Sequence, residues 1–210
     1  MDGQMWLPAV MAVGGYLVGS IPFGVIVSKA LGAPDPRTAG SRNIGFTNVL
    51  RVSGKMAGTL TLLGDAGKGW LVAWLATQTF ESETPILVVT MAPVVGHLYS
   101  AFLAFKGGKG VATAMGAVAG VVWPVGLAML GLWVLGAGIT RISSVGALAA
   151  FTGLPILGVT FGRSWQFLVF AVLVSGLILV RHRGNIVRLW EGREPRMGSG
   201  KPRESGGSVK

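Results

Sequence analysis

Cysteine is absent from the 210-residue chain, which excludes disulfides, a thiol nucleophile and cysteine metal ligands. Histidine occurs twice and acids eight times, three of the acids falling in the last 20 residues. So sparse a supply of ligands argues against a multi-residue metal centre, and neither metal nor cofactor is expected. Charge as a whole is scarce: 12% of residues are charged, about half the share usual in a soluble domain, against 51% hydrophobic residues and a mean hydropathy of +0.63. These values describe a membrane protein. The opening MDGQM carries no positive charge, so no secretory signal peptide is expected, and no internal repeat is visible. The charge that is present has mostly one sign, with a net of +10. Nucleic acid is one partner for such a balance. In so apolar a chain the lysines and arginines instead belong to cytoplasmic loops beside anionic lipid, so the bilayer is expected as partner and nucleic acid is not, nor an obligate protein. Glycine is abundant at 34 residues without a collagen-like period, which in a bilayer means closely packed and broken helices.

Six stretches approach the ~20 apolar residues that a span requires: Met5 to Val27, Met56 to Phe80, Pro85 to Phe105, Val111 to Ile139, Ile142 to Phe161 and Trp165 to Val180. The fourth has 29 residues, about 43 Å as a straight helix, with Pro124 near its middle, where proline breaks helical hydrogen bonding. Were it a simple span, the basic loop with Arg37, Arg42, Arg51 and Lys55 would share a side with Lys106 and Lys109, while Arg183, Arg188, Arg193 and Arg196 fell opposite. That breaks the positive-inside rule. If Val111 to Val122 and Pro124 to Gly138 enter and return, every strongly basic segment lies in the cytoplasm. We therefore expect an all-α polytopic protein of about seven helices including a short re-entrant pair, with the N-terminus outside and the C-terminus cytoplasmic. Residues 1–194 would form one membrane domain and 195–210 a flexible basic tail.

This topology gathers polar clusters on one side. In the loop Arg37 to Arg51, Gly40, Ser41, Asn43, Gly45, Thr47, Asn48 and Arg51 supply hydroxyl, amide, guanidinium and exposed backbone donors suited to a phosphate. Phe105 to Thr113 sets Lys106 and Lys109 around Gly107 and Gly108 at a helix start, an anion site by its free N–H groups and its charge. The spacing is not that of a nucleotide P-loop. Ser143 and Ser144 either cap the next span or meet ligand. His182 and Asn185 share a helix face at i, i+3, and histidine is a general base near neutral pH. Asp65 and Lys68, i, i+3 within an apolar stretch, either brace the site as a buried pair or contact ligand. His97 has Ala101 four residues on, where a histidine–aspartate acyltransferase would have its acid, and a structural role is favoured for it.

The ordered set of motifs resembles the bacterial integral-membrane acyl-phosphate:glycerol-3-phosphate acyltransferases of the PlsY type. It runs from Gly19-Ser20-Ile21-Pro22-Phe23-Gly24 through the Gly40–Arg51 loop, Asp65-Ala-Gly-Lys68-Gly69, Gly96-His97 and Phe105–Thr113 to Ser143-Ser144 and His182–Leu189. Arg42 departs from it in place of a small residue, Phe46 in place of alanine and Tyr99-Ser100 in place of Phe-Pro. The resemblance implies transfer of an acyl group from acyl phosphate to the 1-hydroxyl of glycerol 3-phosphate, giving lysophosphatidate and phosphate without an acyl-enzyme, in the bacterial cytoplasmic membrane and at its cytoplasmic face. It implies phosphate binding by Ser41, Asn43, Arg51, Lys106, Lys109 and Ser143, with His182 and Asn185 at the attacking hydroxyl. Gly40, Gly45, Thr47, Asn48, Asp65, Lys68, Gly107 and Gly108 would support them. The competing reading from another class is a small transporter for an organic phosphate, because broken helices aiming N-termini at an anion are a transporter device.

Overall fold

The computed structural model describes residues 6–198, so the first residues and the end of the expected basic tail lie outside the described part. Within it the chain is all-helical: α1 (Leu7–Ser20), α2 (Phe23–Ala30), α3 (Phe46–Thr79), α4 (Glu83–Leu98), a 3-10 turn (Ala101–Leu103), α5 (Val111–Val121), α6 (Trp123–Thr140), α7 (Ser143–Thr160), α8 (Trp165–Arg181) and α9 (Arg183–Trp190). Seven helices were expected and nine are found among the described residues. The first stretch is two helices bent by 41° at Ile21-Pro22, and a short α9 turns off α8 by 60°. Both breaks have local causes: Pro22 has no N–H to continue α1, and at His182 the helical backbone bond gives way to a new turn begun by Asn185 N–H on the His182 carbonyl.

Three helical segments, Glu83–Leu103, Trp123–Thr140 and Ser143–Thr160, are long and apolar enough to cross a membrane singly. The pair expected to be short is so only in its first half. α5 has 11 residues, about 16 Å, roughly half a hydrocarbon core, whereas α6 has 18, about 27 Å. The break falls at Val122, just ahead of Pro124 in the first turn of α6, as the proline predicts. Side-chain bonds sort the helix ends into two groups. Glu83 at the start of α4 accepts from Ser164 at the start of α8, and Arg163 lies 3.5 Å from Glu83. At the other end, Thr47 near the start of α3 bonds Ser143 at the start of α7 (2.8 Å), and Ser144 donates to Glu194 beyond α9.

Glycines explain how closely the helices approach. A Cβ at Gly69 on α3 would lie 2.0 Å from the Thr113 carbonyl of α5, and one at Gly116 would lie 2.0 Å from the Ala66 carbonyl in return. Gly19 of α1 meets the Pro93 carbonyl of α4 at 2.3 Å in the same sense, and Gly146 of α7 meets Trp133 of α6 at 2.4 Å. Without such small residues lipid-embedded helices lose the close packing that holds them, since water contributes no hydrophobic drive between them. Around these seams Leu87, Val94, Val118, Met129, Phe151, Leu154, Phe167, Phe170 and Val174 interdigitate in one buried core to which α3 to α8 all contribute.

Candidate active site

The long α3 is interrupted at Gly54, where φ is +90° and ψ 176°, a conformation that side chains do not tolerate. This sets off a short helical piece carrying Thr47, Asn48 and Arg51, ahead of which the loop 36–45 folds upon Asn48. The Asn48 amide donates to the carbonyls of Pro36 (2.9 Å), Ala39 (3.2 Å) and Asn43 (2.9 Å), and its Oδ1 accepts the Ser41 N–H (2.9 Å). Asn48 is thus consumed in shaping the loop. Gly40 turns there at φ +61°, and a Cβ on it would strike Asn48 Oδ1. Asn43 spends its Oδ1 on the Gly45 N–H at 2.8 Å. Ser41 is left exposed and Arg51 half-buried. Arg42, the departure noted above, adopts φ +57°, where only glycine is unstrained.

The second wall is the turn 104–110, which joins the end of α4 to α5. Ala104, Phe105 and Gly110 all have positive φ. Gly107 and Gly108 lie flat against His97: a Cβ on Gly107 would sit 2.0 Å from the His97 carbonyl, and one on Gly108 2.2 Å from its Nε2. The Gly108 N–H donates to that carbonyl at 3.0 Å. Beneath, Asp65 Oδ1 is 2.8 Å from Lys68 Nζ and 3.4 Å from His97 Nδ1, all three side chains buried. Lys68 also donates to the Ile21 carbonyl (2.7 Å), which the α1–α2 break leaves without a helical partner. The Asp65–Lys68 pair thereby braces the backbone below the site, and His97 is the floor of the lysine turn. Lys106 is exposed, while Lys109 is half-buried beside the remaining charges.

The third wall is the α8–α9 bend. His182 is buried, and its Nδ1 lies 2.8 Å from the Ile178 carbonyl. A carbonyl only accepts, so the proton sits on Nδ1 and Nε2 presents a lone pair. Burial pulls the His182 pKa down to about 4, the Ile178 bond opposing and the Lys109 charge lowering it further. At neutral pH this imidazole is uncharged. Lys109 is pushed down to about 8, first by burial; Glu194 opposes this, and Arg188, Arg181 and Arg51 add to it. Lys109, before α5, and Ser144, after α6, therefore both stand by Glu194, and α5–α6 leaves this end of the molecule and returns to it.

Glu194 is the group the sequence reading missed. Its Oε1 accepts from Ser144 (2.7 Å) and Asn185 (2.5 Å), and its Oε2 from Arg188 Nε (2.7 Å). Burial alone would raise its carboxyl, and these three donors together hold it below its ordinary value. Two residues after Glu194 lies Arg196 and then Met197, whose N–H donates to the Arg141 carbonyl at 2.6 Å. Two acids, Glu191 and Glu194, within the basic run Arg188 to Arg196 were the available signal. Arg181, which bonds the lysine turn, was also missed. Among the described residues no group of three histidines or acids could hold a metal.

The matching family model is that of glycerol-3-phosphate acyltransferase, over residues 9–192. A glycerol-3-phosphate acyltransferase of Methylococcus capsulatus is 47% identical over 184 residues, covering 88% of this chain and 93% of that one. Another from Burkholderia multivorans is 45% identical over 208 residues, covering 98% and 97%. Among solved structures, the glycerol 3-phosphate form of PlsY, an integral membrane glycerol 3-phosphate acyltransferase, superposes with a TM-score of 0.87 at 37% identity, covering 91% of this chain and 96% of that one. Its lysophosphatidic acid form gives 0.82 at 35% identity, covering 90% and 95%.

Proposed function

The chain belongs to the glycerol-3-phosphate acyltransferase family, and from that premise we propose that it transfers an acyl group directly from acyl phosphate to the 1-hydroxyl of glycerol 3-phosphate. The observation that carries this reading is the meeting of Arg51, Lys109, Ser143, His182 and Asn185 at one end of the helix bundle, cations and neutral donors around a neutral imidazole. The solved relative's glycerol 3-phosphate and lysophosphatidic acid forms support the acceptor and the product.

Two phosphoryl groups must be held, and cationic donors in a partly desolvated site do so strongly. Ser41, Asn43 through its free amide nitrogen, Arg51, Lys106, Lys109 and Ser143 are the donors assigned to them. The Thr47–Ser143 bond joins the first wall to α7, and Gly40, Gly45 and Asn48 keep the loop open. Asp65, Lys68, Gly107 and Gly108 hold the second wall. In the reaction the glycerol hydroxyl oxygen attacks the acyl carbon, the bond from that carbon to the phosphate oxygen breaks, and inorganic phosphate leaves. The donor is already a mixed anhydride, so no acyl-enzyme is needed. Alignment of bound reactants supplies up to ~7–11 kcal/mol of the barrier in favourable cases.

With a pKa of about 4, His182 is a weak base at neutral pH. Its Nε2 accepts the attacking hydroxyl and orients it beside Asn185, and the proton passes to a substrate phosphate oxygen, which titrates near neutrality. The basic loops put this end in the cytoplasm and the Glu83–Ser164 end outside, with the N-terminus outside, in the bacterial cytoplasmic membrane. His182→Gln, which offers an amide oxygen to the same hydroxyl, is expected to keep measurable turnover at unchanged glycerol 3-phosphate binding. Complete loss of turnover with binding intact would make His182 the base and contradict the assignment.

A further inference from the structure

The turn 104–110 is an unlikely shape to persist unaided. Ala104 and Phe105 lie at φ +48° and +61°, both without the freedom of glycine, and Gly110 at +79°. Such strained residues hold their shape only where surrounding contacts fix them. From below the contact is His97. From above it is Arg181, the last residue of α8: its Nη2 donates to the carbonyls of Gly107 (2.9 Å) and Gly108 (3.0 Å), and its Nε to Gly108 (3.2 Å). Its guanidinium lies over the Tyr99 ring, 5.5 Å from the centroid, and the Tyr99 carbonyl is in turn held by the Tyr16 hydroxyl at 2.7 Å.

We propose that Arg181 is a positioning residue for the reaction: clamped on Tyr99, it fixes the Gly107–Gly108 carbonyls and so sets the lysine turn, and Lys109 with it, for a substrate phosphate. Three features of the geometry support this. A planar guanidinium can reach two successive carbonyls at once, which an ammonium cannot do with the same fixed geometry. Carbonyl oxygens bound to Arg181 are neutralised as acceptors that would otherwise repel an anion. Arg181 also directly precedes His182, so the hydroxyl-orienting imidazole and the phosphate-holding turn share one anchor. Tyr99 is a departure from the family's Phe-Pro pattern, and an aromatic ring is retained where the guanidinium stacks.

The inference rests on the proposed use of Lys109 as a phosphate ligand, so the test includes Lys109→Met. KM and kcat are measured for both substrates with purified wild type, Lys109→Met, Arg181→Gln, Arg181→Lys and Tyr99→Leu, alongside thermal unfolding in detergent. Whichever substrate's KM is raised by Lys109→Met, Arg181→Gln is expected to raise the same one by about tenfold, the scale of lost charge-assisted bonds, with kcat within about twofold. Arg181→Lys and Tyr99→Leu should fall between it and wild type. If Arg181→Gln does not fold, Arg181→Lys carries the comparison. A KM pattern for the Arg181 variants that is unchanged or differs from that of Lys109→Met overturns the clamp and leaves the phosphate assignment standing. Unchanged KM values in Lys109→Met itself remove the assignment, and the clamp with it.

Discussion

Lys109 and Arg42 are the residues at which environment most changes what the side chain type alone would do. Lys109, with a pKa of about 8, is charged below that pH and loses its proton above it. Because kcat/KM follows the free enzyme, it should fall on an alkaline limb centred about pH 8, and Lys109→Arg, which does not deprotonate there, should remove that limb; an identical limb in both proteins would assign it elsewhere. Arg42 holds a left-handed backbone at φ +57° with its side chain exposed. Arg42→Gly is expected to stabilise the loop by about 1 kcal/mol, or about 2–4 °C in the thermal midpoint for a chain of this size. A lowered midpoint would mean that the guanidinium makes up for the strain. The residue types at the site were legible because phosphate chemistry limits them to cations, hydroxyls and amides. Glu194 and Arg181 were not, since what defines them is contact with Ser144, 50 residues away, and with Gly107, 74 residues away.

Helix breaks divide in the same way at the scale of elements. Pro124 announces the break at Val122, because the cause is local. The cause at Pro22 is as local, but the proline lay inside an apolar stretch long enough to span, and the bond that steadies the broken backbone comes from Lys68, 47 residues away. The kink at Gly54 was equally hidden, since a lone glycine within a helical pattern is ordinarily just a weak point. Its φ of +90° with ψ of 176° makes it a hinge between the piece bearing Arg51 and the long remainder of α3. Gly54→Ala must either pay about 1–3 kcal/mol of strain or straighten the helix. The first course lowers the thermal midpoint, and the second moves Arg51 and Thr47 and raises the glycerol 3-phosphate KM. Unchanged KM and unchanged thermal midpoint together would show that the kink is dispensable.

For the molecule as a whole, charge asymmetry read from the sequence and side-chain bonds in the structure divide the helix ends alike. Arg51, Lys109, His182 and Glu194 lie at one end, Glu83, Arg163 and Ser164 at the other. Both ends of the α5–α6 pair belong to the first group, which the positive-inside argument anticipated. The glycine seams were legible as a composition, but which helices they join was not, because a glycine's packing partner leaves no mark on its neighbours in sequence. The Gly15 and Gly19 face of α1, for example, packs against Ala92 and Pro93 of α4. Direct transfer from an acyl phosphate is decided by incubating the purified protein in detergent, without added metal, with labelled glycerol 3-phosphate and either palmitoyl phosphate or palmitoyl-CoA. Labelled lysophosphatidate from the acyl phosphate alone is the predicted result, and product from palmitoyl-CoA alone, or from neither donor with folded protein, would contradict it.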